Sequence, residues 1–73
     1  MADEPSIVFS ENIKRLRRAR GLTQRALADA LGVTFQAVSK WENGRAAPDI
    51  FVLPGMASIL GCQIDDLFRR EQG

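Results

Sequence analysis

The chain has 73 residues, 45% of them hydrophobic, and a formal net charge of +1. That is enough for one small domain with a thin core, since domains of about 55–65 residues fold alone only marginally. Cys62 is the single cysteine and histidine is absent, which excludes an internal disulfide, a multi-cysteine metal site and the usual general base.

The first residues, "MADEPS", are acidic, and no apolar run approaches the length of a signal peptide or membrane span, so a cytoplasmic domain is expected. The small net charge hides a segregation. Residues 14–45 carry eight basic groups (Lys14, Arg15, Arg17, Arg18, Arg20, Arg25, Lys40 and Arg45) against Asp29 and Glu42, a net of +6. The remainder sets Arg69 and Arg70 against seven acidic residues, a net of −5. A basic segment on a near-neutral chain suggests one anion-facing surface, although from charge alone a solvated helix face is the plainer explanation.

No strand-like alternation occurs; apolar residues recur at three and four. In the first helix they are Phe9, Ile13 and Leu16, with Ser10 read as the N-cap and Glu11 in the positive first turn. Gly21 stops this helix as a left-handed residue, and Leu22 folds back over its last turn. Thr23 caps a second helix, "QRALADAL", which Gly32 ends in the same way. Thr34 caps a third, "FQAVSKWE", ended by Asn43-Gly44, and the loop "RAAP" leads to another capping residue, Asp49.

In "DIFVLPGMASILG" a helical stripe of Ile50, Leu53, Met56, Ala57 and Leu60 is interrupted by Pro54 and Gly55. Proline is harmless in a first turn but costs about 3 kcal/mol or more deeper in. The fourth helix therefore begins either near Pro54 after a loose turn, or at Ile50 with an early kink. Gly61 ends it, and "IDDLF" forms a last short helix carrying Ile64, Leu67 and Phe68. The fold expected is all-α: a compact bundle of five short helices in one domain over residues 9–70, with tails at 1–8 and 71–73.

The second and third helices have a special relation. Leu27, Leu31, Val33, Val38 and Trp41 are apolar, Ala28 is small where a second helix must cross closely, and Gly32 sits at the turn. These are the requirements of a helix-turn-helix, two helices joined steeply by three or four residues.

On these residues the stretch "NIKRLRRARGLTQRALADALGVTFQAVSKWENGRAAPDI" resembles the phage-repressor-like helix-turn-helix family, also called XRE or Cro/C1-type. The similarity covers roughly Phe9 to Phe68, and its most specific pieces are "GLTQRALADALGV", "QAVSKWENGRAAP" and "LGCQIDDLF". The resemblance implies a lambda-repressor-like domain that binds operator DNA, with the third helix in the major groove. It implies base contacts from Phe35, Gln36, Ser39 and Lys40; Phe35 departs from the pattern, which commonly has a polar residue there.

The local chemistry is compatible with this. At 100° per residue, Val38 and Trp41 point inward as core anchors, while Gln36 and Lys40 lie opposite with Ser39 and Phe35 flanking. Glutamine pairs with N6 and N7 of adenine, lysine donates to O6 or N7 of guanine, and a phenyl ring meets a thymine methyl. Phosphate contacts are expected from Thr23 and Gln24 at the positive start of the second helix, from Thr34 at the start of the third, and from Asn43 and Arg45 beyond it. The resemblance makes Gln24 a clamp on the DNA backbone that also braces Gln36. It also pairs Arg17 with Glu42, joining the first helix to the end of the third. Arg15, Arg18, Arg20 and Arg25 receive no assignment.

In the family the stretch after "PDI" usually alternates apolar and polar residues, whereas here Phe51 and Val52 extend an unbroken apolar run from Ile50 to Leu53. An exposed apolar cluster marks an interface, so Phe51, Val52 and Phe68 are expected to meet their copies across a two-fold axis. The competing expectation tucks Phe51 over Pro48 or Pro54. The function implied is a sequence-specific transcriptional regulator, most simply a repressor, acting as a homodimer on palindromic double-stranded DNA. The alternative is an antitoxin-like or other protein-interaction module on the same fold. With no histidine, no glycine-rich phosphate loop and no convergent carboxylate pair, no enzyme is expected, and no catalytic residue, cofactor, metal or small-molecule ligand.

Overall fold

The computed structural model describes residues 5–70, with side chains from Val8 onward. All regular structure among these residues is helical: α1 (Pro5–Ala19), α2 (Gln24–Leu31), α3 (Phe35–Glu42), a 3-10 turn (Ile50–Val52), α4 (Leu53–Leu60) and α5 (Ile64–Phe68). Of the expected tails, residues 1–4 and 71–73 lie outside the described residues, while 5–8 are helical.

The start of α1 therefore differs from the sequence reading. Pro5 occupies the first helical position, where its missing N–H removes no bond and its fixed φ suits the helix. Ser10 lies inside the helix rather than at its N-cap. Its buried hydroxyl donates to the carbonyl oxygen of Trp41 at 2.6 Å. The last carbonyls of a helix have no partner within it, so Ser10 on α1 satisfies one at the end of α3.

Four helices end alike. The N–H of Leu22 reaches the Arg17 carbonyl (3.0 Å), that of Val33 reaches Ala28 (3.0 Å), that of Arg45 reaches Lys40 (2.9 Å) and that of Cys62 reaches Ala57 (2.9 Å). Each bond brackets a glycine in the left-handed region: Gly21, Gly32, Gly44 and Gly61 have φ of 70°, 73°, 71° and 71°. The fourth helix starts next to Pro54, as in the first sequence alternative, but the turn before it is tight rather than loose. Asp49 caps a tight turn by accepting from the Phe51 N–H (2.9 Å), and the Leu53 N–H takes the Ile50 carbonyl. Proper α-helix begins at Leu53, so Pro54 stays in the first turn, where its ring is tolerated.

The five largest fully buried side chains come one from each helix: Ile13, Leu27, Val38, Met56 and Leu67. Phe9, Ala28, Trp41, Ala57 and Leu60 complete the core. The five-residue α5 is far too short to be stable by itself. Asn12, buried on α1, compensates: its amide donates to the carbonyls of Asp66 (3.3 Å), Leu67 (3.0 Å) and Arg69 (2.8 Å). A reciprocal cap between Gln63 and Asp66 secures the other end of that helix.

Candidate nucleic-acid interface

α2 and α3 begin in the same manner. Thr23 and Thr34 both have extended backbones, and their hydroxyl oxygens accept from the N–H of Ala26 (3.0 Å) and Ala37 (3.1 Å). The Leu27 N–H goes to the Thr23 carbonyl at 3.0 Å. Among the described residues this leaves the N–H groups of Gln24 and Arg25 without an acceptor at the positive end of α2.

The two sides of α3 have different tasks. Val38 and Trp41 are buried, while Phe35, Gln36 and Lys40 are exposed and Ser39 is half-buried. No hydrogen bond or ion pair ties the Gln36 or Lys40 side chain to another described residue. Their amide and ammonium groups are thus available to a ligand along one edge of the helix. Asn43 and Arg45 are exposed just beyond its end.

What holds that edge in place is a buried charge cluster. The Glu42 carboxylate accepts from Arg17 Nε at 2.6 Å, from Arg17 Nη2 at 3.0 Å and from Gln24 Nε2 at 2.9 Å. Arg17 Nη1 also donates to the Leu22 carbonyl at 2.8 Å. Only 10% of the Arg17 side chain and 1% of the Glu42 side chain remain exposed. Burial alone pushes the Glu42 carboxyl upward; the hydrogen bonds from Arg17 and Gln24 and the charges of Arg17 and Lys14 outweigh it and hold the group below its ordinary value of 4.5. The three helices α1, α2 and α3 are thereby joined at one point.

Gln24 departs from its expected placement, since its amide reaches Glu42 rather than Gln36. With the side chain committed there, its peptide N–H is the group left for an anion. Sequence reasoning also missed a contact at the start of α3, where the Arg25 guanidinium carbon lies 5.2 Å from the centre of the Phe35 ring. No local pattern signals it, because the two residues belong to different helices.

The residues expected at a dimer contact differ in exposure. Phe51 is 88% exposed, which rules out its folding down over a neighbouring proline, and Val52 is half-buried. Phe68 is 48% exposed and stacks on Phe9, with ring centroids 5.3 Å apart and planes inclined by 24°. Phe9 and Phe68, with Leu53 and the 44–48 loop, wall an apolar groove of about 400 Å³ in which Phe51 takes no part. Among the described residues no group of side chains could hold a metal ion, and no helix is long and apolar enough to cross a membrane.

Comparison with known proteins places this geometry in context. A family profile described as Helix-turn-helix matches residues 13–67. The SPbeta prophage-derived uncharacterized HTH-type transcriptional regulator YonR of Bacillus subtilis is 39% identical over 62 residues, covering 85% of this chain and 57% of its own. The chain thus spans about half the length of the curated relatives it matches. Among solved structures, the restriction-modification controller protein C.AhdI from Aeromonas hydrophila superimposes with a TM-score of 0.80 at 27% identity, covering 86% of this chain and 96% of that one. Hydroxypropylphosphonic acid epoxidase from S. wedmorenis also superimposes at 0.80 with 34% identity over 88% of this chain, but only 34% of the epoxidase is involved, so the likeness brings no enzymatic activity with it.

Proposed function

Because the chain belongs to the helix-turn-helix family of transcriptional regulators, we propose that it reads double-stranded DNA in the major groove with α3. One observation carries the reading: an exposed polar edge, Gln36 and Lys40, is fixed to the core by a buried ion pair on the opposite side of the same two-turn helix. Free long side chains on a rigid element suit base edges, because the geometry is set before the ligand arrives.

In this reading Gln36 and Lys40 contact bases, with Ser39 and Phe35 alongside. Thr23, Gln24 and Thr34 at the two helix starts, and Asn43 and Arg45 beyond α3, hold phosphates on either side of the groove. The protein acts in the cytoplasm as a homodimer on a palindromic site. Phe51, Val52 and Phe68 lie between the protomers and set the two α3 helices about 34 Å apart, one turn of DNA. Bound there, it represses by occupying the site.

Titration of random-sequence duplexes at several salt concentrations tests the reading. Neutralised phosphates release counterions, so affinity must fall steeply as salt rises. The exposure of Ile50 (69%) and Phe51 (88%) favours a second reading, an antitoxin-like module that binds another protein. Absence of DNA affinity even at low salt would leave that one standing and remove the first.

A further inference from the structure

Resting on the DNA-reading function above, we propose that Arg25 and Phe35 act as one two-part base reader. The Phe35 ring holds the Arg25 guanidinium at the edge of α3 to pair with a guanine, and the ring takes the methyl group of the adjoining thymine.

Both side chains lie outside the core. Phe35 is the first residue of α3 and 37% exposed, while Arg25 is the second residue of α2 and exposed. On α3 the ring stands at the first turn, next to Gln36 in sequence and one turn before the half-buried Ser39. Arg25 has a carboxylate, Asp29, one turn along its own helix, yet among the described residues it makes no ion pair with it. Its guanidinium lies over the Phe35 ring instead, 5.2 Å from the ring centre. Attraction between the cation and the π-face fixes a long, otherwise mobile side chain.

The ring shields one side of the guanidinium, and the remaining N–H groups keep their fork geometry. That fork matches the paired O6 and N7 acceptors of guanine, whereas a lysine ammonium in its place is a point charge. The exposed rim of the ring is apolar and finds one apolar group on the floor of the major groove, the thymine C5-methyl. The pair therefore reads a guanine next to a thymine.

The test uses the duplex that the wild-type chain recovers from a random-sequence pool, with Arg25→Lys, Arg25→Ala and Phe35→Ala variants. Wild type should discriminate at one G·C pair by roughly 5- to 150-fold, the range of a good bidentate contact. Arg25→Lys and Arg25→Ala should lose that discrimination and keep the preferences at the other positions. Replacing the neighbouring thymine by uracil should weaken wild type and leave Phe35→Ala unaffected. Equal weakening on the selected and a scrambled duplex would make Arg25 a phosphate contact and overturn the proposal. So would full retention of the G·C preference by Arg25→Lys and Arg25→Ala. A wild-type chain that recovers no sequence at all refutes DNA reading itself, and this proposal with it, which separates the two failures. Circular dichroism of each variant should match wild type, since neither side chain belongs to the core.

Discussion

Glu42→Ala is the most informative single perturbation. The carboxylate it removes accepts three hydrogen bonds, two of them from a guanidinium whose side chain is only 10% exposed. Without it Arg17 keeps the Leu22 carbonyl and nothing else to balance a largely desolvated charge. Breaking such a buried pair costs about 3–5 kcal/mol, against about 0–1 kcal/mol for an exposed one. At about 0.05–0.15 kcal/mol per residue the whole domain has only about 4–11 kcal/mol of stability, so the variant should be close to unfolding. In urea, with a slope near 1 kcal/mol per molar for so small a domain, the midpoint should fall by about 3 M or more. Melts of Arg17→Ala, Glu42→Ala and the double variant close a cycle; the double variant should cost far less than the sum of the singles. Additive losses would refute the argument.

The same pair sets an acid limit. Glu42 has a folded-state pKa below its unfolded value, so its contribution is complete above about pH 4.5 and is lost as the pH falls through the folded value. Glu42→Gln should be destabilised at neutral pH and lose less than wild type over that acid window. An identical acid slope would mean that Glu42 is not linked to folding.

Other changes probe separate parts of the molecule. Gly55→Ala in α4 would place a methyl 3.7 Å from Leu31 Cδ2, an ordinary contact, so helix propensity should raise stability by about 0.5–1 kcal/mol; a lower thermal midpoint would contradict this. Gly61→Ala should do the reverse by about 1–2 kcal/mol, because φ is +71° and the new Cβ would lie 2.6 Å from Arg20 Nη1. Gln36→Ala and Lys40→Ala should leave the melt unchanged and each relax preference at one base pair by about 1–3 kcal/mol, read by competition binding. Arg45→Ala should instead weaken all sequences alike and lower the salt slope by about one. The Phe51→Glu, Val52→Lys variant should sediment as a monomer; if it stays folded with the oligomeric state of wild type, that surface is not the dimer contact.

Local chemistry made much of this fold legible. Apolar spacing marked Ile13, Leu27, Val38, Met56 and Leu67, which fill the core. Thr23, Thr34 and Asp49 announced their helix starts because a cap needs only a short oxygen-bearing side chain before the first turn. The start of α1 misled for the same reason: Ser10-Glu11 carries a good local cap signal, and only the distant Trp41 carbonyl gives the hydroxyl its actual use. Asn12 was silent, since its acceptors lie 54–57 residues away and no local pattern encodes them. At the candidate site, the outward positions of Gln36 and Lys40 follow from helical geometry alone. The pairing of Arg17 with Glu42 did not; it was suggested by family resemblance, and the bonds span 25 residues. Whether Gln24 would turn to Gln36 or Glu42 depends on how α2 and α3 cross, which sequence spacing leaves open.

The division of labour on α3 also bears on how such a chain changes over generations. Everything that fixes the helix (the Thr34 cap, Val38, Trp41 and Glu42) lies off the edge formed by Gln36 and Lys40. Substitutions on a surface free of structural bonds usually alter stability by no more than about 0.5 kcal/mol. Mutation can therefore rewrite that edge one side chain at a time, with every intermediate still folded. On the proposed reading of DNA by α3, recognition is free to drift here while the scaffold stands still.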